Sequence, residues 1–265
     1  MEDFQKMAPA ERVELIERQG SSLPVTDLRR KILGSFFGCP LDSQAEYTVV
    51  TGCHNAFNIT HVKRLTDVLK HFGVSFTFLS REMCCGHSFL EILPKDTPES
   101  ERLEYETLAR RYEGANIEAA RQLGAKALIT ACAGCYVQYH DLGMNDGIKI
   151  YYYAQFLDSI LDSLKITQGI DFYEGCHKMH RVKNFRMDVE TPKRILSRLE
   201  GLEYSDIPAY CCREAKGARK VLDASKTGTI VTPTPCCFSF LSRERKEGDP
   251  EVLCLTDFLA SGLGV

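Results

Sequence analysis

Ten of the twelve cysteines fall into two copies of one arrangement. Each copy opens on Gly-Cys-His, at Gly52-Cys53-His54 and Gly175-Cys176-His177, and continues to an adjacent pair, Cys84-Cys85 and Cys211-Cys212. Each closes on a second group, Cys132-Ala-Gly-Cys135 in the first copy and Cys236-Cys237 in the second. Thiols gathered in this number are best suited to soft metals, as ligands for iron-sulfur clusters or zinc. The opening MEDFQKMAPAERVELIERQ is charged where an export signal needs an apolar stretch. A reducing, cytoplasmic setting is therefore expected, and there the cysteines read as metal ligands rather than disulfides. Taken alone, Cys132-Ala-Gly-Cys135 has the shape of a dithiol redox pair, but three further cysteines in register favour ligation.

The remaining candidates lie around these thiols. Cys39 and Cys254 fall outside the arrangement and read as buried structural thiols. His54 and His177 recur after the first cysteine of each copy. They can donate hydrogen bonds to cluster sulfurs or protonate a leaving thiolate, or simply cap and pack beside the site. His87 and His180 are lesser candidates of the same kind. Lys178, Arg181, Lys183 and Arg213 can steer an anionic substrate toward the second group, or be ordinary surface charges.

Composition limits the function classes. The chain has 265 residues, 44% of them hydrophobic, and a formal charge of −3. It can bury one large core or two ordinary ones, and it offers no basic surface for nucleic acid or anionic lipid. No apolar run reaches membrane-spanning length, so any membrane contact is expected through a partner. No GxGxxG follows a predicted strand and no P-loop occurs, so electrons must be exchanged with another protein.

Residues 1–46 read as a helical appendage, with an amphipathic helix near Pro9–Glu17 and a second near Asp27–Leu33. Alternating β and α patterns follow. Strands are expected at Tyr47–Thr51, Val74–Leu79, Ala127–Thr130 and Ile148–Tyr153. Helices are expected around Val62–Phe72, Arg102–Leu123 and Ala154–Leu164. The alternation predicts parallel βαβ sheets. The second half repeats the first: Ile170–Glu174 leads to Gly-Cys-His, and Thr229–Thr232 leads to Pro-Thr-Pro-Cys-Cys. The interval is 102 residues for Cys135 to Cys237 and for Phe156 to Phe258, but 127 between the cysteine pairs. The first half therefore carries about 25 extra residues in the Pro94–Arg121 region. The expected fold is α/β, with two pseudo-symmetric βαβ-rich halves and metal clusters at the C-terminal edges of parallel strands, where open α/β sheets bind ligands. The expected divisions are 1–46, 47–167 and 168–265.

In the order Cys53, Cys84-Cys85-Gly86, Cys132-Ala-Gly-Cys135, the chain resembles the cysteine-rich CCG family, whose best-known member is the B-type subunit of heterodisulfide reductase. The resemblance covers roughly residues 47–259. It implies that Cys53, Cys84, Cys85, Cys132 and Cys135 hold a noncubane [4Fe-4S] cluster. The second half departs from the pattern: Arg213 stands where glycine belongs and Thr234 takes the place of Cys132. There Cys176, Cys211, Cys212, Cys236 and Cys237 are expected to hold either a second iron-sulfur cluster or zinc. The resemblance further implies an iron-sulfur subunit that carries out disulfide or thiol redox chemistry in a complex. Its partners would be a ferredoxin-like C-type iron-sulfur subunit and an A-type flavoprotein. The competing expectation is a non-catalytic relay or assembly subunit of a hydroxy-acid or succinate dehydrogenase.

Overall fold

The computed structural model describes residues 6–23, 30–56, 58–144, 147–175, 188, 190–212 and 214–265, the side chains of Arg30, His54 and Ala56 aside. Within these residues lie two four-stranded sheets of the same topology. The first runs β2-β1-β3-β4, with β1 Tyr47–Val50, β2 Phe76–Phe78, β3 Ala127–Thr130 and β4 Lys149–Tyr152. The second runs β6-β5-β7-β8, with β5 Leu164–Phe172, β6 Leu199–Asp206, β7 Thr229–Thr232 and β8 Glu251–Cys254. β1 is parallel to β2 and β3; β5 is parallel to β6 and β7, and β7 to β8. The fold is thus the expected pair of pseudo-symmetric βαβ halves. Val49, Val50, Leu128 and Ile129 in one sheet, and Ile230 and Val231 in the other, are almost wholly buried, as strands covered on both faces must be.

Ten helices connect these strands among the described residues: α1 Pro9–Gln19, α2 Ile59–His71, the single turn α3 His87–Leu90, α4 Glu99–Gln122, α5 Ala133–Asp141, α6 Tyr153–Ile160, α7 Glu190–Ser197, α8 Ala215–Asp223, α9 Pro235–Glu244 and α10 Leu255–Leu263. α6 ends four residues earlier than the pattern suggests, and β5 begins at Leu164, well before the expected Ile170. Residues 24–29 lie outside the described set, and the expected second helix of the appendage survives as a π-helical turn, Arg30–Phe36.

The chain divides into two compact units, one of residues 1–56 and 75–151, the other of 57–74 and 152–265. Two features of this division matter for the site. Residues 1–46 are part of the first unit: Ile16 and Leu23 share its core with Cys53, Cys84, Phe89, Ala109 and Tyr112. And α2, which follows Cys53 in sequence, belongs to the second unit. It buries Val62, Leu65, Val68 and Leu69, and packs against α10, where His61 Nδ1 lies 2.7 Å from Thr256 Oγ1. The apolar spacing of α2 shows that it needs a partner but not which one.

One buried carboxylate ties the second sheet to the loop before β7. Asp171 accepts from Lys226 N (2.7 Å), Thr227 N (2.9 Å), Thr227 Oγ1 (2.9 Å), Ser225 Oγ (2.8 Å) and Ser205 Oγ (2.7 Å). Burial alone would push this carboxyl up, but the donated hydrogen bonds outweigh it and hold it down at about 2. An unfolded aspartate titrates near about 3.9. The stabilisation is therefore complete above about pH 4 and is lost as pH falls toward about 2. Asp171→Asn should unfold more easily than wild type at pH 6, with the gap narrowing on acidification; a gap independent of pH would contradict this.

Candidate metal centre

Each first-half thiol is delivered by the chain leaving a strand of the first sheet. Cys53 follows β1 by way of Thr51-Gly52 and opens a 3-10 turn, Cys53–Ala56, rather than an α-helix. Cys132 follows β3 and is the N-cap of α5, which carries Cys135 on its first turn. Cys84 and Cys85 stand on the loop between β2 and α3. The five thiols are gathered around the start of the Cys53 turn. Cys53 Sγ lies 3.6 Å from Cys84 Sγ, Cys85 is next to Cys84 in sequence, and the Cys132 and Cys135 sulfurs both border Gly52, the residue before Cys53. Cys53, Cys84, Cys85 and Cys135 are buried and Cys132 is partly so.

Protons are divided unevenly among these thiols. The hydrogen bond from Cys53 pushes that thiol up and holds Cys84 well below the ordinary thiol range. Donation by Cys135 likewise lowers Cys132, while Cys135 itself is raised. Thiols gathered this closely, four of them buried, can shed few protons without a cation, because each new thiolate repels its neighbours. Metal binding removes that constraint by replacing the protons. The donor set fits a multi-iron cluster in this sense. Among the described residues, no three His, Cys, Asp or Glu side chains are arranged around a position for a single ion.

Residues outside the cysteine pattern build the walls. Glu82, buried, accepts from Thr51 N (2.8 Å), Thr51 Oγ1 (2.9 Å) and Gly52 N (2.8 Å), locking the Cys53 turn to the Cys84 loop. Asn116 of α4 pairs with the Met83 peptide as another strand would: Oδ1 accepts from Met83 N and Nδ2 donates to Met83 O, both at 2.7 Å. The N-terminal segment closes the site. Ser22 Oγ donates to Cys53 Sγ at 3.2 Å, Ser88 Oγ lies 3.6 Å from Cys84 Sγ, and Cys84 N donates to Gly20 O at 2.7 Å. None of Glu82, Asn116 or Ser22 stands out in sequence, because each acts through a contact distant along the chain.

Two glycines shape the walls of the site. Gly86, at φ 84°, leaves its space to α4: a Cβ there would lie 2.5 Å from Ala109 Cβ and 2.8 Å from Phe89 Cζ, so the room is not open to inorganic sulfide. The glycine that faces the thiols is Gly52, at φ 74°, where a Cβ would lie 2.7 Å from Cys132 Cβ and 2.9 Å from Cys135 Sγ. Gly175 repeats this in the second half at φ 88°, its Cβ position 2.7 Å from Thr234 Oγ1 and 3.1 Å from Cys237 Sγ. The repeated Gly-Cys-His was the available signal for both.

The second half thus aligns Thr234 with Cys132 and Cys237 with Cys135, as the repeat register predicts. Thr234 is the N-cap of α9, and its Oγ1 bonds Glu174 O at 3.3 Å. Cys212 and Cys237 share one buried core, with Cys236 packed at its border. Cys211 is partly exposed, and a Cβ on Gly217 of α8 would overlap the Cys211 carbonyl. Cys176, His177, Lys178, His180, Arg181, Lys183 and Arg213 lie outside the described residues, as does the His54 side chain. His87 Nδ1 lies 3.2 Å from Gln138 Oε1, and its ring borders Gly134, between Cys132 and Cys135, where a Cβ would lie 3.0 Å from His87 Cδ2. Cys254 is fully buried at the N-cap of α10 and Cys39 is buried, as expected of structural thiols.

Residues 47–139 match the model of the cysteine-rich CCG domain family. The chain is 24% identical over 260 residues to a subunit of the dihydromethanophenazine:CoB–CoM heterodisulfide reductase of Methanosarcina barkeri, covering 85% of this chain and 61% of that protein. The corresponding Methanosarcina acetivorans protein is 23% identical over 257 residues, or 84% and 60% of the two chains. An uncharacterised iron-sulfur protein of Methanocaldococcus jannaschii is 26% identical over 172 residues, 64% of this chain and 32% of its own length. The chain therefore spans about three fifths of the two reductase proteins it matches. No helix among the described residues is long and apolar enough to cross a membrane. Residues 47–139 of this chain are thus similar to the cysteine-rich CCG domain family, and along most of its length the chain is similar to heterodisulfide reductase subunits.

Proposed function

We propose that this chain is an iron-sulfur subunit of a heterodisulfide-reductase-like electron-transfer complex, and that Cys53, Cys84, Cys85, Cys132 and Cys135 together hold a noncubane [4Fe-4S] cluster. The observation that carries this reading is the convergence of the five thiols, with Cys53 Sγ 3.6 Å from Cys84 Sγ and the Cys132 and Cys135 sulfurs against Gly52, the residue before Cys53. When bound, such a cluster supplies one-electron redox steps and iron that a substrate sulfur can reach, which suits cleavage or formation of a sulfur–sulfur bond. The protein's own part is to position and to dry the site. Glu82 and Asn116 fix the two loops that carry Cys53 and Cys84-Cys85. Ser22 and Ser88 offer hydroxyls to thiolate charge, and Leu23 and Phe89, both fully buried, exclude water.

The second-half cysteines, Cys176, Cys211, Cys212, Cys236 and Cys237, form a site of different construction, a second iron-sulfur cluster or zinc, because an oxygen replaces sulfur at Thr234. His54 and His177 are proposed to serve sulfur protonation at the two sites. Electrons reach the chain from a ferredoxin-like C-type subunit and an A-type flavoprotein. Phe36 is 82% exposed beside Phe37 and is a candidate for part of that contact. The test is anaerobic co-purification from the native source with assay of iron, acid-labile sulfide and disulfide turnover. The expected result is an iron-sulfur or flavin partner, and turnover only with it. A chain that turns over a disulfide with NADH alone, or partners lacking both cofactor types, would refute the proposal.

A further inference from the structure

A cavity lined by none of the five first-half cysteines lies between α1, the loop after β2 and α4, all within the first compact unit. Its volume is about 290 Å³, at the lower end of the range of small-ligand pockets. Glu17 comes from α1, Arg81 and Met83 from the loop, and Arg111, Tyr112 and Ala115 from α4. The polar groups are unevenly engaged. Arg111 Nη2 donates to Glu17 Oε1, and Tyr112 OH donates to the same oxygen at 2.7 Å. Tyr112 is only 2% exposed, and the Arg111 guanidinium carbon stands 5.2 Å from the centre of its ring, which steadies the guanidinium. Arg81, by contrast, has no hydrogen bond or ion pair among the described residues.

The charges around this cavity do not cancel. Two guanidiniums, which stay protonated, accompany one carboxylate, so a single positive charge is left over. Glu17 also shows what these donors accommodate, since it is itself a carboxylate held by a guanidinium and a phenol. Arg111 has N–H groups beyond the one given to Glu17, and Arg81 has all of its own. A second carboxylate therefore finds donors on two sides. Met83 and Ala115 add apolar surface, and the unbranched Met83 side chain adapts to what it meets. The fitting ligand is small, singly negative and partly apolar.

We propose that this cavity binds a small organic monocarboxylate, held between Arg81 and Arg111 with its apolar part on Met83 and Ala115. The assignment is independent of the cluster reading, because it uses no thiol. It touches the first-half site through the backbone. Arg81 and Met83 flank Glu82, which locks the Cys53 turn, and the Met83 peptide is held by Asn116 of α4. A ligand that joins Arg81 to α4 steadies the segment leading into Cys84.

The test titrates the full chain calorimetrically with benzoate, inorganic phosphate or chloride at one ionic strength. Benzoate should bind at one site per chain with a Kd on the order of 1 mM, as so small a ligand allows. Arg81→Ala should weaken it about tenfold, through loss of a charge-assisted contact. Glu17→Gln removes a repelling charge and frees Arg111, so it should tighten binding severalfold, a change that a merely structural role for Glu17 would not produce. Arg18→Ala, an equal loss of charge on α1 outside the cavity, should leave the affinity as it is. Absence of saturable benzoate binding, or equal affinity in wild type and Arg81→Ala, would overturn the proposal. The same weakening in Arg18→Ala, or loss of binding in a Glu17→Gln protein with unaltered circular dichroism, would overturn it too. Phosphate or chloride binding as tightly as benzoate would show recognition of charge alone and overturn the carboxylate assignment.

Discussion

Replacing Cys84 or Cys135 by alanine is expected to strip about four irons from each chain, not one, on the proposal that all five sulfurs serve a single cluster. Cys84 Sγ lies 3.6 Å from Cys53 Sγ, and Cys135 Sγ borders Gly52; both thiols are buried. Loss of either therefore removes a buried member of the set. The same change should destabilise the surrounding unit, since Cys53 and Cys84 are members of its core and metal affinity is coupled to folding there. Cys39→Ala and Cys254→Ala serve as controls: both thiols are buried outside the set, so stability should fall a little and iron should stay. Iron and labile sulfide counted per chain decide the matter. Full iron with an unaltered EPR spectrum in Cys84→Ala and Cys135→Ala would show that these residues are not ligands.

Glu82→Ala should be the most damaging change outside the cysteines. It leaves two backbone N–H groups and one hydroxyl without acceptors in a buried place. At about 1–3 kcal/mol for each stranded donor, partly relieved by relaxation or water, the loss should be about 3–5 kcal/mol. Glu82→Gln keeps one acceptor oxygen and should cost less. Denaturant unfolding of the three proteins gives the ranking, and iron content should follow it, because Glu82 holds the Cys53 turn against the Cys84 loop. A Glu82→Ala protein with wild-type midpoint and full iron would mean that the clamp is dispensable.

The parts of the molecule that could be read from sequence share a local cause. β1, β3 and β7 are short β-branched or apolar runs bounded by charge or glycine, and α4 ends near its glycine, so neighbouring residues alone determine their form. The repeat register was legible too, since Gly52 and Gly175 make the same close approach to their respective helix starts. What escaped was long-range. Ser22 reaches Cys53 across 31 residues, Asn116 reaches Met83 across 33, and Glu82 reaches Thr51 across 31. Single polar residues of this kind carry no period and no motif.

The placement of α2 has a consequence for the meaning of the repeat. The repeat in the sequence begins before Cys53 and before Cys176, yet residues 57–74 are counted with the second compact unit. The segment that was duplicated and the segment that packs cooperatively are therefore out of phase. Taken alone, the first repeat would leave Val62, Leu65, Val68 and Leu69 of α2 in want of a cover, so one sequence repeat is not by itself a unit that packs as a whole.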